Sequence, residues 1–463
     1  MHLFTNYLLT QIINLNYLGK FYSLDLRDSY EVGKLLFYIG LFLIPSVLSL
    51  GILSLFISST VSFKSDKESF FKEKYSFIFF ISSIFLTLSS LVNFFDNNSI
   101  NNISDAKYLT LLGLLNWLPL IFCFRSFQKF LKYPSDRKRC CLILISGTVP
   151  VLFSCISQIF FKWYGPFETL FGLITWFQRP IDGITGVTGL FSNPNYLSAW
   201  LIIIWPFCLA IFAFERKEFK SFFLKFLLIT LTSSLIVLTA SRAAWICLII
   251  SIPLFYGIKK INKFFFYLLG ILSFIVINIS VPILGKNFQE LLKSIIPEGL
   301  WINLTSAGFD NLDISRIGIW IKAIDFIKEK PLLGHGARSF PQLLSNDIDI
   351  WKGHAHNLPL ELMVNYGIPA ALLTLIPIFF LVVISYRKIF IFEKKINKIS
   401  IFDRAWISSS ILLIIIHMID IQYFDARISI VGWILISGLK NIASSEKYGN
   451  NLNENNPILT NQL

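Results

Sequence analysis

Charge is what this sequence has least of. Asp, Glu, Lys and Arg make up 15 % of its 463 residues, against ~25 % in ordinary soluble domains, and the mean hydropathy is +0.64. So little charge cannot cover a water-facing surface. The apolar residues come in runs of about 18 to 25, the length that carries a helix across ~30 Å of hydrocarbon. A soluble protein is therefore excluded, and an all-α polytopic membrane bundle is expected. Cysteine is also sparse: Cys123, Cys140, Cys141, Cys155, Cys208 and Cys247 lie in or beside apolar runs. They lack metal or disulfide-framework spacing and read as small buried hydrophobes. No HExxH occurs and no metal-ligand spacing is recognised, so no metal and no cofactor are expected. Residues 1–33 lack a basic stretch followed by a compact apolar core, so no cleavable signal is read there. No convincing internal repeat is found.

Uncharged apolar runs predict about eleven spans, near 35–59, 76–95, 108–124, 141–161, 196–214, 226–240, 243–257, 264–285, 360–385, 405–424 and 428–443. Residues 1–33 form an N-terminal segment in which 5–19 is read as an interfacial or further helix. Residues 34–443 form the membrane domain, and 444–463 a disordered cytoplasmic tail. The loops 60–75, 125–140, 215–225, 258–263 and 386–404 carry 4, 6, 4, 3 and 6 Lys/Arg. Under the positive-inside rule these five are cytoplasmic. Segments 96–107, 162–195, 241–242, 286–359 and 425–427 then face outward. The net charge of +13 is accounted for by this topology and by contact with anionic membrane lipids, and no nucleic-acid patch is present.

The outward loop 286–359 is far longer than ordinary connections, and such loops are commonly functional. Within it, "SRIGIWIKAIDFIKEK" places Ile317, Trp320, Ile321, Ile324 and Ile327 at the i, i+3, i+4, i+7 spacing of an amphipathic helix suited to a membrane surface. Several polar residues fall on the same outward side. Arg242, in "LTASRAAW", is either an anion ligand or an arginine snorkelling to headgroups, and Arg316 is either a ligand or an ordinary interfacial arginine. His356 and Asn357 precede Pro359 at the start of a membrane helix. They either cap that helix or use its N-terminal field, which favours an anion and a neutral imidazole. His354 and His335 read as loop hydrogen-bonders or substrate contacts. Asn193 and Asn195, in the Gly/Asn/Pro-rich "GITGVTGLFSNPNYLSAW", offer amides or form a plain turn. In "HMIDIQYFDARISIVGW", His417 and Asp420 would share a helix face at i, i+3, with Asp425 and Arg427 beyond them as a structural network or a site. Two arginines and a helix N-terminus suit a phosphate or pyrophosphate; a neutral histidine beside them suits deprotonation of a hydroxyl.

The segments "GLFSNPNYLSAWL", "LTASRAAW", "SRIGIWIKAIDFIKEKPLLGHGARSF" and "HAHNLPLELMVNYG", in this order and with the large loop between, resemble the O-antigen ligase and polymerase superfamily over roughly residues 180–380. A weaker likeness extends over 405–443. The resemblance implies about twelve spans in the bacterial inner membrane and a site facing the periplasm. It implies transfer of a glycan from an undecaprenyl-pyrophosphate carrier to an acceptor such as a lipid A core sugar, metal-independently and with inversion. It further implies Arg242 and Arg316 at the pyrophosphate and His356 as base. Asn357, Asn193, Asn195, His354, His335, Arg338 and Arg427 are then substrate contacts. A polymerase joining carrier-linked repeats is the alternative. A small-solute transporter, for example of inorganic carbon, is a further one, for which repeats and a midplane site would be expected.

Overall fold

The computed structural model describes residues 28–64, 70–96, 104–181, 186–214, 219–257, 285–295, 316–349, 351–392 and 400–445, with isolated positions 267, 270, 274 and 301. The expected helix at 5–19, all but four positions of the expected span 264–285, and the tail beyond 445 lie outside the described residues.

The first expected span, 35–59, is not one helix. It folds as α1 (Ser29–Leu43) and α2 (Leu48–Lys64) around a turn containing Pro45. Proline has no N–H to donate and crowds the preceding turn, so it ends the helix. Ser58 Oγ donates to the Gly33 carbonyl at 2.6 Å and Ser54 Oγ to Leu36 at 2.8 Å, so the two helices run antiparallel. Hydropathy has no direction and reads both arms as one apolar run.

The chain continues as α3 (Lys74–Phe95), α4 (Ser104–Leu112), α5 (Leu118–Phe130) and α6 (Pro134–Phe160). A short antiparallel ribbon follows, β1 (Phe167–Thr169) against β2 (Ile174–Trp176). Then come α7 (Pro194–Phe214), α8 (Phe219–Leu238), α9 (Arg242–Tyr256), α10 (Lys286–Ile295), α11 (Arg316–Glu329), α12 (Phe340–Ile348), α13 (Leu358–Tyr386), α14 (Ser400–Ile419) and α15 (Ala426–Ser444). Among the described residues seven helical stretches are long and apolar enough to cross a membrane, and Leu48–Ser62, Phe222–Leu238 and Arg242–Tyr256 are shorter apolar helices. The protein is an all-α polytopic integral membrane protein.

Lipid supplies no hydrophobic drive between helices, so small polar residues join them. Ser82 on α3 meets Thr374 on α13 at 2.6 Å, Ser409 on α14 donates to Ile203 on α7 at 2.7 Å, and Ser437 on α15 to Phe124 on α5 at 3.2 Å. At one end of the bundle Arg137 grips Asp403 through two bonds of 2.6 and 2.7 Å, fully buried, and Lys34 meets Asp136 at 3.1 Å. The first pair joins the loops 125–140 and 386–404, two of those that charge assigns to one side.

At the other end α13 is broken. Gly367 has φ 85° and ψ 166°, and the next turn carries Pro369. A helix would pair the Ile368 N–H with the Val364 carbonyl. Instead Ile368 donates to Pro331 at 2.8 Å, while Val364 and Asn365 accept from His335 and Gly336 at 2.8 and 2.9 Å. The Leu332 carbonyl lies where a Cβ on residue 367 would be. The loop after α11 thus replaces the missing helical bonds and is locked to the membrane domain.

A second apolar face of α11, beside the one expected to meet the membrane surface, packs inward. Ile319, Ala323, Phe326 and Ile327 are buried against α12 and α13, whereas Ile317, Ile321 and Ile324 are exposed. The helix carries apolar side chains on two sides, and periodicity alone cannot choose between them.

Candidate active site

A polar cavity of about 170 Å³ lies at the end of the bundle away from Arg137 and Asp403. It is lined by Asn195, Ser198, Ser241, Arg242, Arg316, Asp420 and Gln422, together with alanines and Ile416. They come from four helix ends: the starts of α7, α9 and α11 and the end of α14. Ala240 takes φ +59° and turns the chain sharply, so that Arg242 opens α9. That turn is pressed against Gly186, where a Cβ would strike the Thr239 carbonyl, and Val187 N–H donates to Leu238 at 3.0 Å. The glycine of the "GVTG" stretch therefore admits the α8–α9 turn. Asn193 accepts the Asn195 N–H at 2.8 Å and starts α7; Asn195 and Ser198 then face the cavity while Asn193 does not line it. Arg316, the first residue of α11, completes the lining.

Beside this cavity stands a histidine–carboxylate pair. His356 Nδ1 lies 2.8 Å from Asp420 Oδ1, and His354 Nε2 lies 3.6 Å from the same oxygen. Asp420 is fixed further by the Ile421 N–H and by Gln422 Nε2, each at 3.0 Å. Burial pushes its carboxyl up, but the His356 bond, both imidazoles and the Ile421 N–H outweigh this and hold it below the ordinary carboxylate value. An ionised carboxylate only accepts, so His356 Nδ1 carries the proton that faces it and Nε2 is left as the acceptor. The Gln422 side chain is buried, and its Oε1 has no hydrogen-bond partner among the described residues.

The loop that presents His356 is strained and braced. His356 has φ +51°, a left-handed conformation rare outside glycine. Glu361, fully buried one turn into α13, accepts the Ala355 N–H at 2.9 Å with one oxygen and Asn365 Nδ2 at 2.9 Å with the other. The His356 N–H donates to His354 Nδ1 at 3.2 Å, which leaves the His354 proton on Nε2, facing Asp420. Burial first, then His356 and Arg316, lower the His354 imidazole to about 4. Asn357 caps α13 by accepting the Leu360 N–H at 3.1 Å, and its Nδ2 donates to Met418 at 3.0 Å, tying the loop to α14.

Other residues named from the sequence lie elsewhere. His335 is buried with Nε2 2.8 Å from the Phe326 carbonyl, and burial lowers its imidazole. Arg338 is exposed at the rim, its guanidinium 5.8 Å from the Phe424 ring on which His354 stacks. Arg427 is buried, doubly bonded to Asp425, donating to Leu190 at 3.2 Å and lying 3.7 Å over Phe191. It pins α15 to the loop before α7. His417 bonds the Leu413 carbonyl at 2.8 Å, and Asp420, whose N–H still pairs with the Ile416 carbonyl at 2.8 Å at the end of α14, gives its carboxylate to His356.

Ser198, Ser241, Gln422 and the brace Glu361 are not singled out by the sequence, and neither is the pairing of Asp420 with His356. An acid in "HMIDIQYF" was visible as an oddity in an apolar run, but nothing local points to His356. The expectation of no metal-ligand cluster also needs amending: His354, His356 and Asp420 bring three ligand atoms within 4.8 Å of one another. Ligation through His354 Nε2 would require moving its proton to Nδ1, against the His356 N–H.

Residues 226–375 match the family model described as "O-Antigen ligase". The matched stretch contains Arg242, Arg316, His354, His356 and Glu361, but neither Asn195 nor Asp420. Over 192 residues the chain is 27 % identical to a "General O-oligosaccharyltransferase" of Acinetobacter baylyi (strain ATCC 33305 / BD413 / ADP1). That alignment covers 38 % of this chain and 32 % of the relative, about a third of the latter's length. Over these stretches, the first of which holds both arginines and the histidine pair of the site, the chain is similar to the O-antigen ligase superfamily.

Proposed function

We propose that the cavity is the catalytic centre of a glycosyltransferase that moves a glycan from an undecaprenyl-pyrophosphate carrier to an acceptor hydroxyl, such as that of a lipid A core sugar, at the periplasmic face. The observation that carries this reading is the shared carboxylate. Asp420 holds the base and also walls the chamber that contains two arginines from different helices.

The pyrophosphate lies between Arg242 and Arg316, whose guanidinium forks match its oxygens. Asn195, Ser198 and Ser241 add neutral hydrogen bonds from the walls. The acceptor hydroxyl gives its proton to His356 Nε2 as its oxygen attacks the anomeric carbon from the side opposite the carrier. The bond from that carbon to the pyrophosphate oxygen breaks with inversion, and the bond electrons leave with the pyrophosphate. The arginines stabilise the charge that develops there, usually the largest catalytic term in such sites. Asp420 stabilises the imidazolium formed during the step. A polymerase would run the same chemistry on a second carrier-linked chain. The ligase reading is preferred because both matched descriptions are of ligase or oligosaccharyltransferase type.

The test is the surface glycolipid banding of a strain lacking the protein, complemented with wild type or His356→Ala. Long glycan absent from lipid A core but accumulated on the carrier supports the ligase reading. Core bearing a single repeat supports a polymerase. Wild-type banding with His356→Ala removes the histidine's role, and unchanged glycan in the deletion strain removes the transferase reading.

A further inference from the structure

One strongly apolar exposed patch has no part in the reaction above. It is the segment from the end of α6 through the β-ribbon. Phe160, Phe161, Trp163, Phe167, Leu170, Phe171, Leu173 and Phe177 are all exposed, Phe171 completely, at the tip of the ribbon. Between residues 160 and 177 the sequence has eight aromatic residues and only Lys162 and Glu168 as charges. Such a surface does not face water without a reason.

The helices beneath it supply one. At 1.5 Å per residue, the 15 residues of α1 and 17 of α2 reach only about 22 and 25 Å, short of ~30 Å of hydrocarbon. The 27 residues of α6 reach about 40 Å. The α1–α2 turn therefore stops below the end of α6, and the ribbon folds back over the step. Trp176 Nε1 donates to the Ser46 carbonyl of that turn at 2.6 Å. The end of α6 is the cavity end, since Gln158 there bonds the Thr188 hydroxyl and the Arg179 carbonyl of the loop leading to α7.

We propose that the β1–β2 ribbon is a lipid-binding element seated in the leaflet on the cavity side, filling the thickness that α1 and α2 do not span. Its depth follows from its backbone. A two-stranded ribbon leaves edge N–H and C=O groups unpaired, which hydrocarbon does not tolerate. The strands therefore lie at the boundary of headgroups and acyl chains, where tryptophan and tyrosine collect, and Leu170, Phe171 and Leu173 reach into the chains. The occupant is lipid because the patch is continuous with the membrane-spanning surface of α6 and nearly free of charge.

The proposal is tested on the full chain in liposomes of phosphatidylethanolamine and phosphatidylglycerol, with a nitroxide on Phe171→Cys and, separately, on Leu173→Cys, which keeps Phe171. The six native cysteines are buried, so the label reports the introduced site. Glu31→Cys, exposed at the opposite end of α1, is the water-facing reference. Both ribbon labels are expected to collide with oxygen severalfold more, relative to a water-soluble nickel chelate, than the Glu31→Cys label does. Nickel-dominated collisions like those of the reference would overturn the proposal. So would immobilised labels shielded from both reagents, the result a second copy of the chain would produce.

Discussion

His356 and Asp420 are 64 positions apart in sequence and 2.8 Å apart in space, Nδ1 to Oδ1. The bond crosses from the loop before α13 to the residue after α14. It fixes the tautomer of His356 and leaves Nε2 as the nitrogen that would take the hydroxyl proton in the proposed reaction. Asp420→Asn keeps the shape but removes the charge that stabilises the imidazolium. Transfer by the purified protein should fall by about 10²-fold or more, the usual contribution of positioned acid–base groups. A variant within threefold of wild type would detach the carboxylate from the chemistry.

Arg242 and Arg316 line the cavity from different helices, α9 and α11. Lysine at either position preserves charge but loses the two-pronged grip. Arg242→Lys and Arg316→Lys should each lower turnover by about 10- to 10³-fold, as removing one transition-state donor does, while membrane insertion and yield stay normal. Equal activity in both lysine variants would reduce the pair to a diffuse positive field.

Glu361 accepts two N–H donors, from Ala355 and Asn365, and no cation is bonded to it in either contact. Glutamine at this position turns one acceptor into a donor facing a donor. Glu361→Gln should cost about 1–3 kcal/mol, the cost of a buried unsatisfied polar group, and should loosen the histidine loop. Thermal unfolding of the variant is the measurement; an unchanged midpoint would mean that the loop is held by Asn357 alone.

His354 gives a pH signature. Its imidazole is lowered to about 4 from an ordinary 6.5, chiefly by burial. The folded protein therefore refuses a proton that the unfolded chain accepts. Its contribution to stability is intact above pH 6.5 and is lost as pH falls towards about 4, to an extent on the order of 3 kcal/mol. Asp420, held below the ordinary carboxylate value, loses its contribution only at still lower pH. His335 is lowered too and acts with the same sign. The diagnostic is therefore the difference between wild type and His354→Phe: the variant should lose less of its unfolding midpoint between pH 6.5 and about 4. Parallel losses would assign the effect to other groups.

Much of the architecture was legible before folding. Apolar runs located the long helices, and lysine and arginine density grouped the loops that Arg137–Asp403 joins. The α1–α2 hairpin was not legible, because hydropathy sees neither a proline turn inside an apolar run nor the direction of the chain after it. The inward face of α11 was not legible for a related reason: the helix carries two apolar stripes, and only α12 and α13 select the one they cover.

In the site, the arginines and histidines were visible as costly polar groups in a greasy chain, and the cavity gathers Arg242, Arg316 and Asn195. Arg427 had the same visibility but is occupied by Asp425, Leu190 and Phe191. By itself, then, the sequence determined that this is a helical membrane protein with its unusual polar groups mostly at one end, since transfer free energy depends on local composition. Only the tertiary structure decided which of those groups meet. Asp420 pairs with His356 rather than His417, and Glu361 holds the loop between the imidazoles. Hydrogen bonds act over about 3 Å, and separation along the chain carries no record of which helix ends will come that close.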